Sequence, residues 1–244
     1  MAESQNTQAL ILKRHDWREH DSRVVLYTKR FGKVSLVARG VKKIKSKIAA
    51  HVEPLSLADI MILKGKVFDY LGSSLITKSH LNIKSDLNAL YFAGRSLGVF
   101  DNLVKEGVPD EELFDFLIYY FDFLDNLASG GLKKEAGEDL FNYFIFQLLV
   151  ILGYRPELYH CLSCKRKIEP TGNSFNFRLG GLICPHCLGD NKQRFNPNEI
   201  SAISADCIKI IRIFSEKKAY QNIRISHNLA KEISRLAKVY LDFI

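Results

Sequence analysis

The chain has 244 residues, of which 47% are hydrophobic, 25% charged and 11% aromatic, a globular composition that excludes a disordered, collagen-like or coiled-coil polymer. Its longest apolar stretch, Phe144 to Leu152, is interrupted by Gln147 and falls short of the roughly 18 residues that cross a bilayer, which excludes an integral helical membrane protein. Acid and amides at Met1-Ala2-Glu3-Ser4-Gln5-Asn6, in place of a basic start and an apolar run, make a cytoplasmic protein the expectation.

The formal net charge is +8, and all of it lies at one end: residues 1–80 hold 15 Lys/Arg against 7 Asp/Glu, while residues 81–244 hold 20 of each. A surplus confined to one segment points to a polyanion such as nucleic acid. The densest run is Arg39-Gly40-Val41-Lys42-Lys43-Ile44-Lys45-Ser46-Lys47, five cations in nine residues with no acid among them. A solvated loop is the plain alternative. Confinement of the charge favours binding, with Lys13, Arg14, Lys33 and Arg18 as neighbours that would help neutralise phosphates.

In chain order, the segment ending near Lys78 alternates with a period of two and is rich in β-branched residues. Gln8 to Lys13, Arg23 to Lys29, Lys33 to Ala38, Leu55 to Leu63 and Lys66 to Thr77 read as strands. The breaks are Phe31-Gly32, the basic run ending at Pro54, and a hairpin signal at Lys64-Gly65-Lys66. This pattern predicts a small OB-fold β-barrel over residues 1–80, with a sandwich fragment as the competing architecture. Trp17, Tyr27, Phe31, Phe68 and Tyr70 are candidates for stacking on single-stranded bases, though most aromatics in so small a domain belong to its core.

From Leu81 the period becomes helical. One amphipathic helix runs from about Leu87 to Val104 with Ser85 as its expected cap. A second covers Asp110 to Leu127 with its acids in the first turn, and a third, apolar nearly all round, covers Glu135 to Leu152. Asn196 before Pro197, with Glu199 following, marks the start of a fourth, and Ser226 the start of a last helix through Phe243. The expected class is α+β multidomain: an N-terminal OB-fold β-barrel over 1–80, then an all-α domain over 81–244 with an inserted four-cysteine zinc module at 158–190.

That module rests on Cys161-x2-Cys164-x19-Cys184-x2-Cys187. Two-residue gaps let both sulfurs of a pair face one ion, and the spacing suits a four-thiolate zinc site. Disulfides need an oxidising compartment, and a redox Cys-x-x-Cys normally opens a helix after a strand, which neither pair is expected to do. Four thiolates fill a tetrahedron and leave no place for water, so one structural Zn2+ is expected, without catalysis. His160 and His186 flank the ligands as possible substitutes, and Cys207 reads as a buried small hydrophobe. No phosphate loop, nucleophile elbow or His-Glu-x-x-His is present, so the chain is not expected to be an enzyme.

Several segments together carry a resemblance. They are Leu10-Ile11-Leu12, Asp21 with Val24-Val25-Leu26-Tyr27-Thr28, Phe31-Gly32, Val37-Ala38-Arg39-Gly40-Val41-Lys42-Lys43, Lys45-Ser46-Lys47 and Glu53-Pro54. Later come Phe144, Leu148-Leu149, Leu152-Gly153-Tyr154 with Pro156, Leu158 and Cys161, then Phe175, Phe177 and Gly180-Gly181-Leu182 before Cys184. In this order they resemble the bacterial RecO family of DNA repair and recombination mediators. The resemblance implies an OB-fold followed by a helical domain with a zinc module. It also implies binding of single- and double-stranded DNA, annealing of complementary strands and, with RecR, loading of RecA recombinase onto strands coated by single-stranded-DNA-binding protein. The chain departs from the family pattern at Trp17-Arg18-Glu19-His20, where many members have an aromatic-Gly-Glu turn.

Two other functions fit parts of this pattern. A basic barrel with a zinc module also suits a ribosome- or tRNA-associated RNA-binding protein. A metal-dependent enzyme would need a metal with a free coordination position, which four thiolates do not offer.

Overall fold

The computed structural model describes residues 4–190, 195–216, 220, 223 and 225–244. Met1 to Glu3, part of the segment read as lacking a leader, lie outside them. The chain forms two compact units, residues 1–132 and 133–244. Residue 80, where the period changes, follows the last barrel strand, and the next three helices share the first unit.

The first unit is built on a closed five-stranded barrel in the order β1-β2-β3-β5-β4. Strand β1 (Ser4–Asp16) pairs antiparallel with β2 (Ser22–Thr28) along one half and with β4 (Leu57–Leu63) along the other. A bulge between Ile11 and Lys13 interrupts its register with β2. Strand β3 (Gly32–Ala38) continues from β2, and β5 (Tyr70–Lys78) from β4. The ring closes where β3 and β5 run parallel at Val37 and Tyr70. Alternation puts Ala9, Ile11, Val24, Leu26, Leu36, Ile60, Ile62 and Leu71 inside, the OB-like β-barrel that period-two sequence requires. Strand β5 begins at Tyr70, so Lys66 to Asp69, expected as strand, lie in the β4–β5 loop.

Beyond the barrel, α1 (Leu81–Ser85) is a single turn, and α2 (Leu87–Leu103) is capped by Asp86, not by Ser85: the Asp86 carboxylate accepts from the Ala89 N–H. Asp110 caps α3 (Glu111–Ala128) in the same way, through the Leu113 N–H. The outer barrel face meets these helices at Tyr27, whose ring is fully buried, edge-on to Phe100 at 5.0 Å and stacked on Phe114 at 6.3 Å.

The second unit places α4 (Lys134–Ile151) against α6 (Ala205–Ser215) and α7 (His227–Asp242). Gln147, the polar break in the longest apolar run, has a structural task. Its Nε2 donates to the Phe214 and Glu216 carbonyls at the end of α6, which the helix itself leaves unpaired. The helix expected to begin at Asn196 is only a 3-10 turn, Pro197–Glu199, followed by the short strand β8 (Ile200–Ala202). That strand pairs with β6 (Ser174–Asn176), which also pairs with β7 (Gly181–Ile183). Pairing on β6 captures Ile200, and the helix starts later, with Ser204 accepting from the Cys207 N–H.

Candidate nucleic-acid interface and metal centre

The basic run follows β3 and leads into a 3-10 turn, Ala49–His51. Its base is fastened to the β1–β2 loop by two hydrogen bonds: the Gly40 N–H donates to the Asp21 carboxylate at 2.8 Å, and the Lys42 N–H to the His20 carbonyl at 3.0 Å. Gly40 has φ +65, a left-handed turn that suits glycine. Lys43, Lys45 and Lys47 are exposed and face no carboxylate among the described residues. Lys42 lies 3.5 Å from Asp16, and the Arg39 guanidinium sits 4.0 Å above the centre of the Tyr70 ring.

Of the remaining expected cations Arg18 is exposed, whereas Lys13, Arg14 and Lys33 are spent on the protein's own acids. Lys13 pairs with Asp101 at 2.7 Å and Arg14 with Glu53 at 3.1 Å. Lys33 corrects the sequence reading: it is buried, and its ammonium donates to the Asp101 carbonyl at 2.6 Å, so it is no surface phosphate ligand. Burial raises the Asp101 carboxyl, but Lys13 and Lys33 outweigh it and hold the group below the ordinary carboxylate range. Of the candidate stacking aromatics, Tyr27 is core, whereas Trp17 and Phe68 stay partly exposed. They come from the β1–β2 and β4–β5 loops and meet edge to face at 5.7 Å.

In the second unit the four cysteines do converge, with all their sulfurs within 4.8 Å of one another and the Cys164 and Cys184 sulfurs 3.9 Å apart. A tetrahedron with metal–sulfur bonds of about 2.3 Å has edges near 3.8 Å, so the group fits one ion. Local chain geometry explains the convergence. Cys161 and Cys164 lie on a tight turn closed by the Lys165 N–H on the Cys161 carbonyl, with Lys165 left-handed at φ +59. Cys184 follows β7 and, with Cys187, straddles the start of α5 (Pro185–Asp190), so this pair does open a helix after a strand, against the sequence expectation; Pro185 lacks an N–H that the first helical turn would leave unpaired anyway. The Leu162 N–H, donating to the Leu182 carbonyl, joins the two halves.

Electrostatics favours the thiolate at Cys164 and Cys161 and opposes it at Cys187, whose thiol burial pushes up to about 12. Arg166, whose Nε donates to Cys164 at 3.5 Å, holds that thiol down at about 6. Burial pushes Cys161 up, yet backbone N–H groups of Cys164, Cys184 and Ser163 bring it below its usual value. His160 lies by Glu157, with 3.7 Å between ring nitrogen and carboxylate. Cys207 is fully buried away from the cluster, its thiol raised by desolvation.

Among the described residues no helix is long and apolar enough to cross a membrane. Two family models match the chain, "Recombination protein O N terminal" over residues 1–80 and "Recombination protein O C terminal" over residues 84–243. Similar proteins called "DNA repair protein RecO" include one from Dehalococcoides mccartyi strain CBDB1, 27% identical over 240 residues, covering 98% of this chain and 89% of the relative. Another from Desulforamulus reducens is 27% identical over 237 residues, covering 96% and 87%. One from Roseiflexus sp. strain RS-1 is 28% identical over 240 residues, covering 98% and 80%. With both halves of the molecule matched in order, the chain belongs to the recombination protein O family, RecO, and its role lies in DNA repair and recombination.

Proposed function

We propose that this protein anneals complementary DNA strands and, together with RecR, helps place RecA recombinase on single strands coated by single-stranded-DNA-binding protein. Arg39, Lys42, Lys43, Lys45 and Lys47 would contact phosphates, with Lys13 and Arg14 at the margin. The observation that carries this reading is the exposed lysine run, Lys43, Lys45 and Lys47, standing on the barrel segment, residues 1–80, where 15 Lys/Arg face only 7 Asp/Glu. Two like-charged strands repel; cations that neutralise phosphates and release counterions from both reduce that cost without reading sequence. No nucleotide hydrolysis is part of the proposal, and the working compartment is the bacterial cytoplasm, at the nucleoid.

The metal proposed for the cysteine cluster is zinc, held by Cys161, Cys164, Cys184 and Cys187 as a closed structural site. Its contribution would be to fix the segment between α4 and α6 in one conformation.

A strand-annealing assay across a salt series tests the function, comparing the native chain with a variant in which Lys42, Lys43, Lys45 and Lys47 are Gln. Five phosphate contacts give a log–log salt slope of about −3.5 on single strands. The variant should anneal slowly with a slope near −0.7. Unchanged annealing and slope would overturn the assignment, and tighter binding of matched RNA than of DNA would favour an RNA-binding protein instead.

A further inference from the structure

We propose that the Trp17–Phe68 pair is a base-stacking site, so that the barrel grips unpaired nucleotides by their bases as well as by their phosphates. This rests on the DNA-binding reading and deepens it by naming single-stranded DNA as the ligand of this face.

Trp17 and Phe68 come from separate loops, are 38% and 37% exposed, and lie edge to face with centroids 5.7 Å apart. Val67 beside them is 80% exposed. Large apolar side chains held at a loop tip gain little from the core, and their open faces suit a flat apolar ligand. Phe68 borders a groove of about 510 Å³ that Arg23, Ser35 and Val67 also line, together with the acids Asp69 and Glu106. The Arg23 guanidinium lies 5.5 Å from the Trp17 ring centre and is fixed by the Ser35 hydroxyl at 2.6 Å.

Cation and ring alternate along this surface, Arg23 with Trp17 and Arg39 with Tyr70. The strip is also continuous with the basic run. Trp17 sits on the loop whose Asp21 and His20 hold Gly40 and Lys42, and the Asp69 carbonyl, next to Phe68, accepts from the Val37 N–H at 3.0 Å. Bases in a single strand can reach rings while their phosphates reach lysines; in a duplex the base faces are already stacked on each other.

Trp17 is the chain's single tryptophan, so its fluorescence reports on this site alone. Titrating the full chain with an oligothymidine strand should quench that emission, and an abasic strand of equal length should not. Trp17→Ala and Phe68→Ala should weaken oligothymidine binding about 5- to 50-fold, leave abasic binding and its salt slope unchanged, and be rescued by Trp17→Phe. Equal affinity for the two strands with no quenching overturns the stacking site while sparing the phosphate reading. Failure of both strands to bind would overturn the two together. The native-chain quenching experiment stands even if a variant does not fold.

Discussion

The Lys33 ammonium on β3 donates to the Asp101 backbone carbonyl on α2 at 2.6 Å and lies 3.4 Å from its carboxylate, which Lys13 on β1 also reaches at 2.7 Å. One helical acid therefore ties two barrel strands to α2. Removing it strands a buried cation. Asp101→Ala should cost about 3 kcal/mol in urea unfolding, whereas Lys33→Met, which removes both the charge and its need, should cost less. Lys33→Met should also leave the salt slope of DNA binding unaltered; a flattened slope would return Lys33 to the phosphate set. Because Asp101 is held below its ordinary range, its ionised form stabilises the fold at neutral pH. That contribution should fade as pH falls through the carboxylate range.

Gly32 opens β3 at φ +65, and a Cβ there would come 2.2 Å from the Val108 carbonyl oxygen. Both the backbone angle and the space forbid a side chain. The neighbouring Lys33 carbonyl accepts from the Gly107 N–H at 2.9 Å, so this loop cannot retreat freely. Gly32→Ala should lose roughly 2–4 kcal/mol of stability, read from chemical denaturation of the purified protein. A loss under 1 kcal/mol would show that the approach relaxes easily.

How much of this was legible in the sequence depends on how local each decision is. Period-two alternation in Ala9, Ile11, Val24 and Leu26 is local, and it gave the barrel. Two short cysteine gaps gave the cysteine cluster, since each knuckle closes within its own turn. Lys33 could not be placed, because its partner lies 68 residues away on another element. Tyr27 and Phe68 look alike in sequence; one is buried because Phe100 and Phe114 lie over its strand, and the other stays partly exposed in a loop, against Trp17. At Asn196 the local cap signal was real, since its side chain accepts from the Asn198 N–H. Pairing of β8 with β6 ended that turn before a helix could grow.

Asp139, within the buried face of α4, is 8% exposed and its Oδ1 finds no hydrogen-bond partner among the described residues. Burial, with Glu138 and Glu135 near by, pushes its carboxyl up to about 6. The folded state thus holds this proton more tightly than the unfolded chain. Between pH 4 and 6 stability should fall as pH rises, and the ionised carboxylate should cost about 1–2 kcal/mol at neutral pH once solvent screening is allowed for. Asp139→Asn should raise the thermal midpoint at pH 7.5 and flatten that slope. A lower midpoint at pH 7.5, with the slope kept, would mean that the charge is compensated in the fold.

The cysteine cluster makes the sharpest demand on the second unit. Cys161 and Cys187 are buried beside Ile183, with Leu162, Ile168 and Leu188 packed around them, so the sulfurs form the centre of a very small core. Such a core buries too little apolar surface to order its own chain, whereas zinc in isolated modules contributes on the order of 10 kcal/mol. Strand β6, which carries Phe175, and strand β8 are anchored through this region to Tyr240 on α7, whose ring meets Phe175 at 5.3 Å. Strong chelation should therefore release one metal per chain and lower the thermal transition of residues 133–244. Binding of DNA by the barrel should persist, because its strands and cations lie in the other unit. Elemental analysis before and after chelation, combined with hydrogen exchange, reads both parts. Cys161→Ser and Cys187→Ser should each behave like the chelated protein. If instead exchange in β6, β7 and α7 stays as slow without metal as with it, the cluster is not what holds this unit together.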